Sequence, residues 1–500
     1  MARFAGFYNS QAVQRSLASR PIAAESRSRQ SVLLAHFGFQ LLRLAFFFTS
    51  AYGVYSNRPA VAWLFAILLV HSFLDPAFYL RPNLMNTYLL FTVVFYYSRW
   101  VMGWGSAETT VYTEDAPNWV KVIKDLVWAG LVAAFGVRAL FRPRFDRRMP
   151  LWFSGRGMIL VILLLIYLVL PCFSLIYGRG GLFEVVLYDL RYPLEYVPFV
   201  FLFPFVLHGE SSVKYFRTFV PLLILALLFL VVEVFSGRRT GFGGSGYFVR
   251  YGSIFGSPND FGVFLMLSVT ALLAFLSERA IRWSPKIVVL IVLCLGALAA
   301  TISLSALFAM VFSMAGLLLF ARNKVRGTLA LVAVVILVTG FYFAFPTARI
   351  SAYLSERIEN LSTLREGSIY QHYRSIVDTE ALVARFEPAE YLVGTFQSRK
   401  NLMMPETYYL RTLYVRGAVN LVILLSIIGL TLVEGYRRYR AALGSPIKRG
   451  LFLAATLGVA GFSFASLFIP YFDTFPSNFY FWFLAAIIWC EPMQAKEPQV

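Results

Sequence analysis

Apolar stretches of roughly 18–25 residues recur along almost the whole of this 500-residue chain, and each could cross a bilayer as a helix. Hydrophobic residues make up 59% of the chain and charged residues 14%. Soluble globular proteins have roughly 45–50% and about 25%, respectively. Because lipid offers no hydrogen bonds to the backbone, such stretches are expected to be helical. The sequence therefore predicts an all-α, polytopic membrane protein.

The apolar stretches predict a transmembrane bundle of about fourteen helices, or twelve if the two shortest are left out. We place the spans near residues 31–55, 60–80, 84–100, 119–139, 157–177, 187–208, 216–235, 260–277, 286–301, 303–321, 327–345, 408–433, 451–469 and 477–490. The predicted organisation is a disordered basic tail (1–30), spans one to eleven (31–345), a long loop (346–406), spans twelve to fourteen (407–490) and a short tail (491–500).

Basic side chains recur in alternate connections, as the positive-inside rule requires of the cytoplasmic side. The basic residues concerned are Arg138, Arg142, Arg144, Arg147, Arg148, Arg156, Arg279, Arg282, Lys286, Arg322, Lys324, Arg326, Arg437, Arg438, Arg440, Lys448 and Arg449. The opposite connections 101–118 and 470–476 contain no Lys or Arg. An even number of spans then places both termini in the cytoplasm.

The formal net charge of +19 does not indicate a nucleic-acid partner, because the basic residues are spread between spans. The three cysteines, Cys172, Cys294 and Cys490, lie in or beside apolar stretches and form no Cys-x-x-Cys or Cys/His cluster. We therefore expect neither a disulfide framework nor a metal site, and no cofactor.

Two predicted outward-facing segments are longer than simple links. Residues 236–258 contain seven glycines in twenty-three positions, and residues 346–406 form a loop of sixty-one. In that loop, apolar residues recur at helical spacing at Leu354, Ile358 and Leu361, then at Ile369, Tyr373, Ile376 and Val377. This spacing predicts two short amphipathic helices at the membrane surface.

Charged residues within a span are costly and so indicate function. The sixth span opens with YDLRYPLEY, which contains Asp189, Arg191 and Glu195. Arg191 and Glu195 are four residues apart and share a helix face, so a structural ion pair explains them equally well.

The glycine-rich segment ends in RYGSIFGSPND. Arg250 offers a planar, permanent positive charge, and Pro258, Asn259 and Asp260 lead into a helix N-terminus, where amides favour an anion. The alternative is plain turn chemistry, with Asn259 or Asp260 as the helix cap.

Glu406 lies in PETYYLRTLYVRG, where the chain re-enters the membrane beside Tyr408 and Tyr409. A partly desolvated carboxylate is a candidate general base, although an acidic residue in a first helical turn also suits the helix dipole. Within the loop, Arg374 lies in the second predicted helix, Gly394 marks a tight turn and His372 is the only histidine.

The order of these features resembles the O-antigen polymerase and ligase superfamily of bacterial polysaccharide assembly. The shared order is an arginine-bearing span, R-x-G-x-x-x-x-x-P-N before a helix, a long outer loop, and E/H-x-x-Y-L-x-x-x-x-x-x-G after it. The resemblance covers roughly residues 185–490. The matching positions are Arg191, then Arg250, Gly252, Pro258 and Asn259, then Arg374 before Gly394, and finally Glu406, where ligases carry a catalytic histidine. The family's Ser-Arg-Gly segment appears only as TISLSALF at 301–308, without its arginine.

The resemblance implies a metal-independent glycosyltransferase that moves a glycan from undecaprenyl pyrophosphate to an acceptor sugar at the periplasmic face of the inner membrane. It implies that Arg191, Arg250 and Arg374 bind the pyrophosphate and that Glu406 is the base. Asn259, Asp260, Tyr408, Tyr409 and His372 would line the substrate pocket. The implied partners are the lipid-linked glycan, membrane lipids and a chain-length regulator protein.

Glutamate in place of the ligase histidine favours a polymerase of lipid-linked repeat units. The alternative within the family is an O-antigen ligase that transfers glycan to lipid A–core. The alternative of another class is a polysaccharide flippase, which is expected to place charges near the bilayer midplane and to show two similar halves.

Overall fold

The computed structural model describes residues 44–49, 52, 155–170, 213–236, 251–255, 257–322, 328, 332, 368–394, 407–442, 444–474 and 477–490. The chain divides into two compact units, Met1–Pro76 and Ala77–Val500. In the first unit the described residues are 44–49 and 52, all of them helical.

Ten helices of the second unit lie within these described ranges. They are α1 (Gly155–Val169), α2 (Val213–Ser236), α3 (Pro258–Ser277), α4 (Pro285–Thr301), α5 (Leu304–Phe320), α6 (Ser368–Val383), α7 (Pro388–Val393), α8 (Tyr408–Ala441), α9 (Pro446–Ala465) and α10 (Ser477–Cys490). Two short 3₁₀ helices cover Ser253–Phe255 and Tyr471–Asp473. Of the described residues, 86% are helical and none forms a strand, which confirms the all-α prediction for that part of the chain.

Among the described helices, three (α3, α8 and α9) are long and apolar enough to cross a membrane, and α1, α4, α5 and α10 are shorter apolar helices. Large apolar side chains such as Val422 and Val433 on α8 face outward, as lipid-facing residues do. The described helices are therefore consistent with a membrane protein. The predicted spans 60–80, 84–100, 119–139 and 187–208, almost all of 327–345, and the predicted helix at 354–361 lie outside the described residues.

Helix α9 lies at the centre of the described bundle and packs against α3, α5, α8 and α10. The same structural device starts three helices: Ser257, Ser284 and Ser445 cap α3, α4 and α9, and a proline follows each of them. A serine oxygen satisfies a free amide of the first turn, and proline there gives up an N–H that has no helical partner. The cap of α3 is thus Ser257, and the alternative that Asn259 or Asp260 caps it is wrong.

Two buried carboxylates hold together the helix ends that carry most of the described basic residues. Glu278 accepts hydrogen bonds from Tyr439 Oη at 2.8 Å and Arg449 Nε at 2.9 Å. Glu434 accepts from Arg437 Nε and Arg438 Nε, each at 2.8 Å. We call this the basic end of the bundle. It lies at the far end of α8 from Tyr408.

Candidate functional site

An open cavity of about 10 Å³, which has room for about one water molecule, lies at the opposite end of α8 from the basic end. It is formed by the first turns of α8 and the 3₁₀ helix that joins α9 to α10. Its lining residues are Tyr408, Arg411, Thr412, Val415, Arg416 and Asp473. Its lining brings two guanidinium groups and one carboxylate together in a small space.

Arg416 is the most deeply buried cation of this cavity, with 5% of its surface exposed. Its Nη1 donates a hydrogen bond of 3.1 Å to the phenolic oxygen of Tyr167 on α1. The Arg416 Cζ also lies 5.8 Å from the centre of the Tyr167 ring, whose other neighbours include Trp482 on α10 at 6.5 Å. Aromatic neighbours of this kind orient the planar guanidinium group.

The two tyrosines that the sequence assigns to a pocket have different surroundings. Tyr408 lines the cavity, its Oη lies 3.1 Å from Tyr167 Oη, and its ring stacks on Phe472 at 4.8 Å. Tyr409 instead donates to the Ser463 carbonyl of α9 at 2.7 Å. Tyr408 therefore belongs to the cavity, whereas Tyr409 ties α8 to α9.

Arg411 and Asp473 form an ion pair across the cavity, with Arg411 Nε 3.1 Å from Asp473 Oδ2. Both side chains are largely buried. The pair links the second turn of α8 to the 3₁₀ helix before α10.

Asn259 and Asp260 hold the wall behind the cavity. Asp260 Oδ1 accepts hydrogen bonds from Ser477 Oγ and, at 3.3 Å, from Thr474 Oγ1. Asn259 Oδ1 accepts from Ser303 Oγ at 3.1 Å. Neither residue lines the cavity, but Thr474 directly follows the 3₁₀ helix that carries Asp473, so their bonds fix the position of that helix.

The TISLSALF segment joins the same network through the turn between α4 and α5. Ser305 Oγ and Tyr471 Oη are 2.8 Å apart, and Ser303 Oγ and Ser305 Oγ are 3.2 Å apart. Ile302 forms the turn with a φ of 49°, which is uncommon for a β-branched residue and brings Ser303 close to α3. The TISLSALF segment therefore contacts the Pro258–Asn259 segment at the start of α3.

The glycine-rich segment is anchored where it enters the described part of the chain. Ser253 has a φ of 50°, its N–H donates to Glu233 Oε2 at 2.8 Å, and its Oγ donates to the Ala226 carbonyl at 2.6 Å. Glu233 is completely buried in α2. A buried carboxylate thus holds the backbone three residues after Arg250, close to the predicted anion-binding segment.

Arg374 lies on α6 with 64% of its side chain exposed, and its Nε is 3.6 Å from Asp378 Oδ2. It does not line the cavity. His372 also lies on α6, but its side chain is not among the described ones. Arg191, Arg250 and Glu406 lie outside the described residues, although Glu406 is only two positions before α8.

Helix α8 is interrupted directly after Arg416, at Gly417, whose φ of 77° and ψ of 173° are not helical. The sequence prediction of a span at 408–433 missed this break. It divides α8 into a short segment that carries Tyr408, Arg411 and Arg416 and a longer apolar segment. Such backbone angles belong almost exclusively to glycine.

Sequence reasoning overlooked four charged members of this region: Arg411, Arg416, Asp473 and Glu233. The rule that an ionisable residue within an apolar stretch indicates function singles out Arg416 and Glu233. The proximity of Tyr167 to Arg416 has no local signal. Within the described residues, no group of three or more His, Cys, Asp or Glu side chains could hold a metal ion.

Comparison with known proteins adds no relative: no family model matches the chain, and no curated protein matches it.

Proposed function

We propose that this protein is a membrane-embedded glycosyltransferase that polymerises undecaprenyl-pyrophosphate-linked oligosaccharide repeat units, as O-antigen and exopolysaccharide polymerases do. The observation that carries the proposal is the buried guanidinium of Arg416, which sits beside Arg411 in a cavity at the end of an apolar helical bundle. In a lipid pyrophosphate the anionic group lies where the apolar chain meets water. The order of sequence motifs described above supports the same function.

The proposed reaction needs no bound metal for charge neutralisation, because arginines can take that role. An acceptor hydroxyl attacks the anomeric carbon of the donor sugar, and its proton passes to the carboxylate of Glu406. The bond between the anomeric carbon and the pyrophosphate oxygen breaks, so undecaprenyl pyrophosphate leaves with the electron pair. Arg416 and Arg411, together with Arg191 and Arg250, would stabilise the charge that develops on the leaving group.

Positioning would supply much of the rate, since two long glycans must be aligned in one site. The aromatic side chains of Tyr408, Tyr167 and Phe472 are buried against one another and would keep the wall of the cavity rigid. In this proposal Asn259 and Asp260 act indirectly, through the wall that holds Asp473. His372 keeps the role that the family resemblance implies, whereas Tyr409 ties α8 to α9.

The membrane placement is part of the proposal. We assign the basic end, with Arg437, Arg438 and Arg449, to the cytoplasm by the positive-inside rule. The cavity then faces the periplasm of a bacterial inner membrane, and both termini of a fourteen-span chain are cytoplasmic. A chain-length regulator would be the natural protein partner of such a polymerase.

The test is the surface glycan of a deletion strain, complemented with the wild-type gene or with Arg416→Gln. A polymerase deletion leaves single repeat units on the lipid carrier or on lipid A–core, and Arg416→Gln fails to restore long chains. Long polymer that is not attached to lipid A–core would instead indicate a ligase. Repeat units trapped on the cytoplasmic side would indicate a flippase.

A further inference from the structure

Two glycines let the backbone at the end of α7 approach the break in α8 closely. Gly394 ends α7 with a φ of 86° and a ψ of 170°, and Gly417 has nearly the same angles. Both lie in a region of backbone space that side-chain-bearing residues hardly enter. Twenty-three positions apart, the two residues adopt the same rare conformation at the point where the two segments touch.

The contact leaves no room for a side chain on either glycine. A Cβ on Gly394 would overlap the Val415 carbonyl and lie 2.6 Å from the backbone nitrogen of Arg416. A Cβ on Gly417 would overlap the Leu392 carbonyl and lie 2.5 Å from the backbone nitrogen of Gly394. The absence of a side chain at each glycine therefore leaves room for the backbone of the facing segment. Those backbone atoms could not move aside for a Cβ as the end of a flexible side chain can.

Side chains extend this contact on the α7 side. The ring of Phe386, between α6 and α7, lies 5.5 Å from the ring of Tyr414 on α8. Both α6 and α7 contact α8. The segment that they hold, Tyr414 to Gly417, includes Val415 and Arg416, which line the cavity.

We infer that Gly394 and Gly417 are positioning residues: their contact docks α6 and α7 on α8 and thereby fixes Arg416 in the cavity for an anionic diphosphate. This inference rests on the proposed function for the identity of the ligand. The break at Gly417 sets the direction of the short segment of α8, and the docked α7 keeps that break in place. Loss of the contact frees the backbone of Arg416 itself, so its guanidinium no longer lies where it meets Tyr167.

The first experiment measures docking without reference to any ligand. Phe386→Cys and Tyr414→Cys are introduced into the full chain with Cys172, Cys294 and Cys490 replaced by alanine, and the purified protein is treated with a short thiol crosslinker. We expect efficient intramolecular crosslinking. Adding Gly394→Ala or Gly417→Ala is expected to lower its rate about tenfold or more, whereas Gly429→Ala is expected to leave it unchanged. Gly429 is the matched control, because it lies in the same helix with nothing within 4 Å of its Cβ position.

The second experiment measures the cavity, with inorganic pyrophosphate as the probe. We expect pyrophosphate to raise the Tm of the wild type and of Gly429→Ala. Gly417→Ala is expected to lower the ligand-free Tm, because its Cβ meets backbone atoms, and to bind pyrophosphate about tenfold more weakly at temperatures where it is folded, as Arg416→Gln does. Weaker binding measured well below the ligand-free Tm of each variant separates positioning from a general loss of structure.

If the alanine variants do not fold, Phe386→Ala tests the same contact without adding an atom, and it is expected to weaken pyrophosphate binding several-fold. The inference would be wrong if Gly417→Ala bound pyrophosphate as tightly as the wild type. If Gly417→Ala does not fold, the same criterion applies to Phe386→Ala. Unchanged crosslinking in both alanine variants would also overturn it. A third outcome separates the two claims. If crosslinking depends on the glycines but pyrophosphate does not raise the Tm of the wild type, the docking contact is supported and the proposed function is not.

Discussion

Arg416 and Tyr167 are 249 positions apart in the chain, yet Arg416 Nη1 donates to Tyr167 Oη over 3.1 Å. The contact joins α8 to α1 and gives a buried guanidinium a fixed direction. Ionisable residues buried within apolar helices are rare and often functional, which makes Arg416 a candidate site residue.

Reversing the charge of Arg416 is expected to abolish glycan transfer. Arg416→Gln, which keeps much of the size and one donor, is expected to slow transfer by about 10²–10³-fold, as loss of a single transition-state donor does. Charge reversal at Arg191 or Arg250 is expected to act in the same way. The measurement is polymer formation from lipid-linked repeat units by purified protein in vesicles.

The matched control for Arg416 is Arg440→Gln, because Arg440 is an exposed arginine near the other end of the same helix. Its activity is expected to equal that of the wild type. Equal activity in Arg416→Gln would remove this residue from the site.

Replacing Glu406 with glutamine is expected to shorten or abolish the polymer while the protein stays folded. An amide cannot take the proton of the acceptor hydroxyl, and loss of a general base slows a reaction by about 10²–10⁴-fold. Polymer length on gels reports the effect. The control is Glu380→Gln, an exposed glutamate of α6. Full-length polymer from Glu406→Gln would show that another group is the base.

Chelation of divalent metal is expected to leave transfer unchanged. The proposed mechanism neutralises the leaving pyrophosphate with guanidinium groups, which EDTA does not remove. The assay is the initial rate of polymer formation with and without EDTA. Inhibition that Mg²⁺ reverses would place the enzyme in a metal-dependent class of glycosyltransferases.

Removing the hydroxyl of Ser477 is expected to destabilise the wall behind the cavity. Ser477→Ala takes a donor from the buried Asp260 carboxylate, and an under-satisfied buried acceptor costs about 1–3 kcal/mol. The free energy of unfolding in mixed micelles measures this loss. Ser268→Ala is the control, because Ser268 Oγ donates to Phe264 of its own helix at 2.7 Å. If Ser477→Ala and Ser268→Ala lower the free energy of unfolding by the same small amount, the hydrogen bond from Ser477 to Asp260 does not stabilise the wall.

Replacing Glu278 with alanine is expected to destabilise the basic end by about 3 kcal/mol, since it removes the partner of a largely buried arginine. Glu278 also accepts from the backbone N–H of Arg322 at 3.2 Å, so it connects the ends of α3, α5, α8 and α9. The same unfolding assay applies, with Arg440→Ala expected to change stability by less than about 0.5 kcal/mol. Transfer by the folded fraction is expected to be normal, because the basic end is remote from the cavity.

The helices were predictable wherever the information is local. The spans at 260–277, 286–301, 303–321 and 477–490 agree with α3, α4, α5 and α10 to within two residues at each end. Apolar length and the Ser-Pro dipeptides that start α3, α4 and α9 act over one or two turns, so they can be read directly. The break at Gly417 was not predictable, because glycine in an apolar helix is usually tolerated without a break.

The site was predictable only in part. The sequence directed attention to Tyr408 and to the P-N-D segment, and the structure places Tyr408 in the cavity and Asn259 and Asp260 behind it. Arg416 lies in the segment PETYYLRTLYVRG, which the sequence analysis singled out. Glu406 was chosen from that segment as the candidate residue, because a carboxylate can act as a general base. Arg191, Arg250 and Glu406 remain predictions.

Apolar periodicity, charge and capping pairs determined that this chain builds apolar helices, because those properties act between residues close in sequence. Tertiary structure alone decided that Arg416 meets Tyr167, that Arg411 meets Asp473 and that Gly394 meets Gly417. These contacts depend on how the helices pack, and helix packing is determined by many weak contacts between residues that are distant in sequence. It therefore cannot be predicted from any short stretch of the sequence.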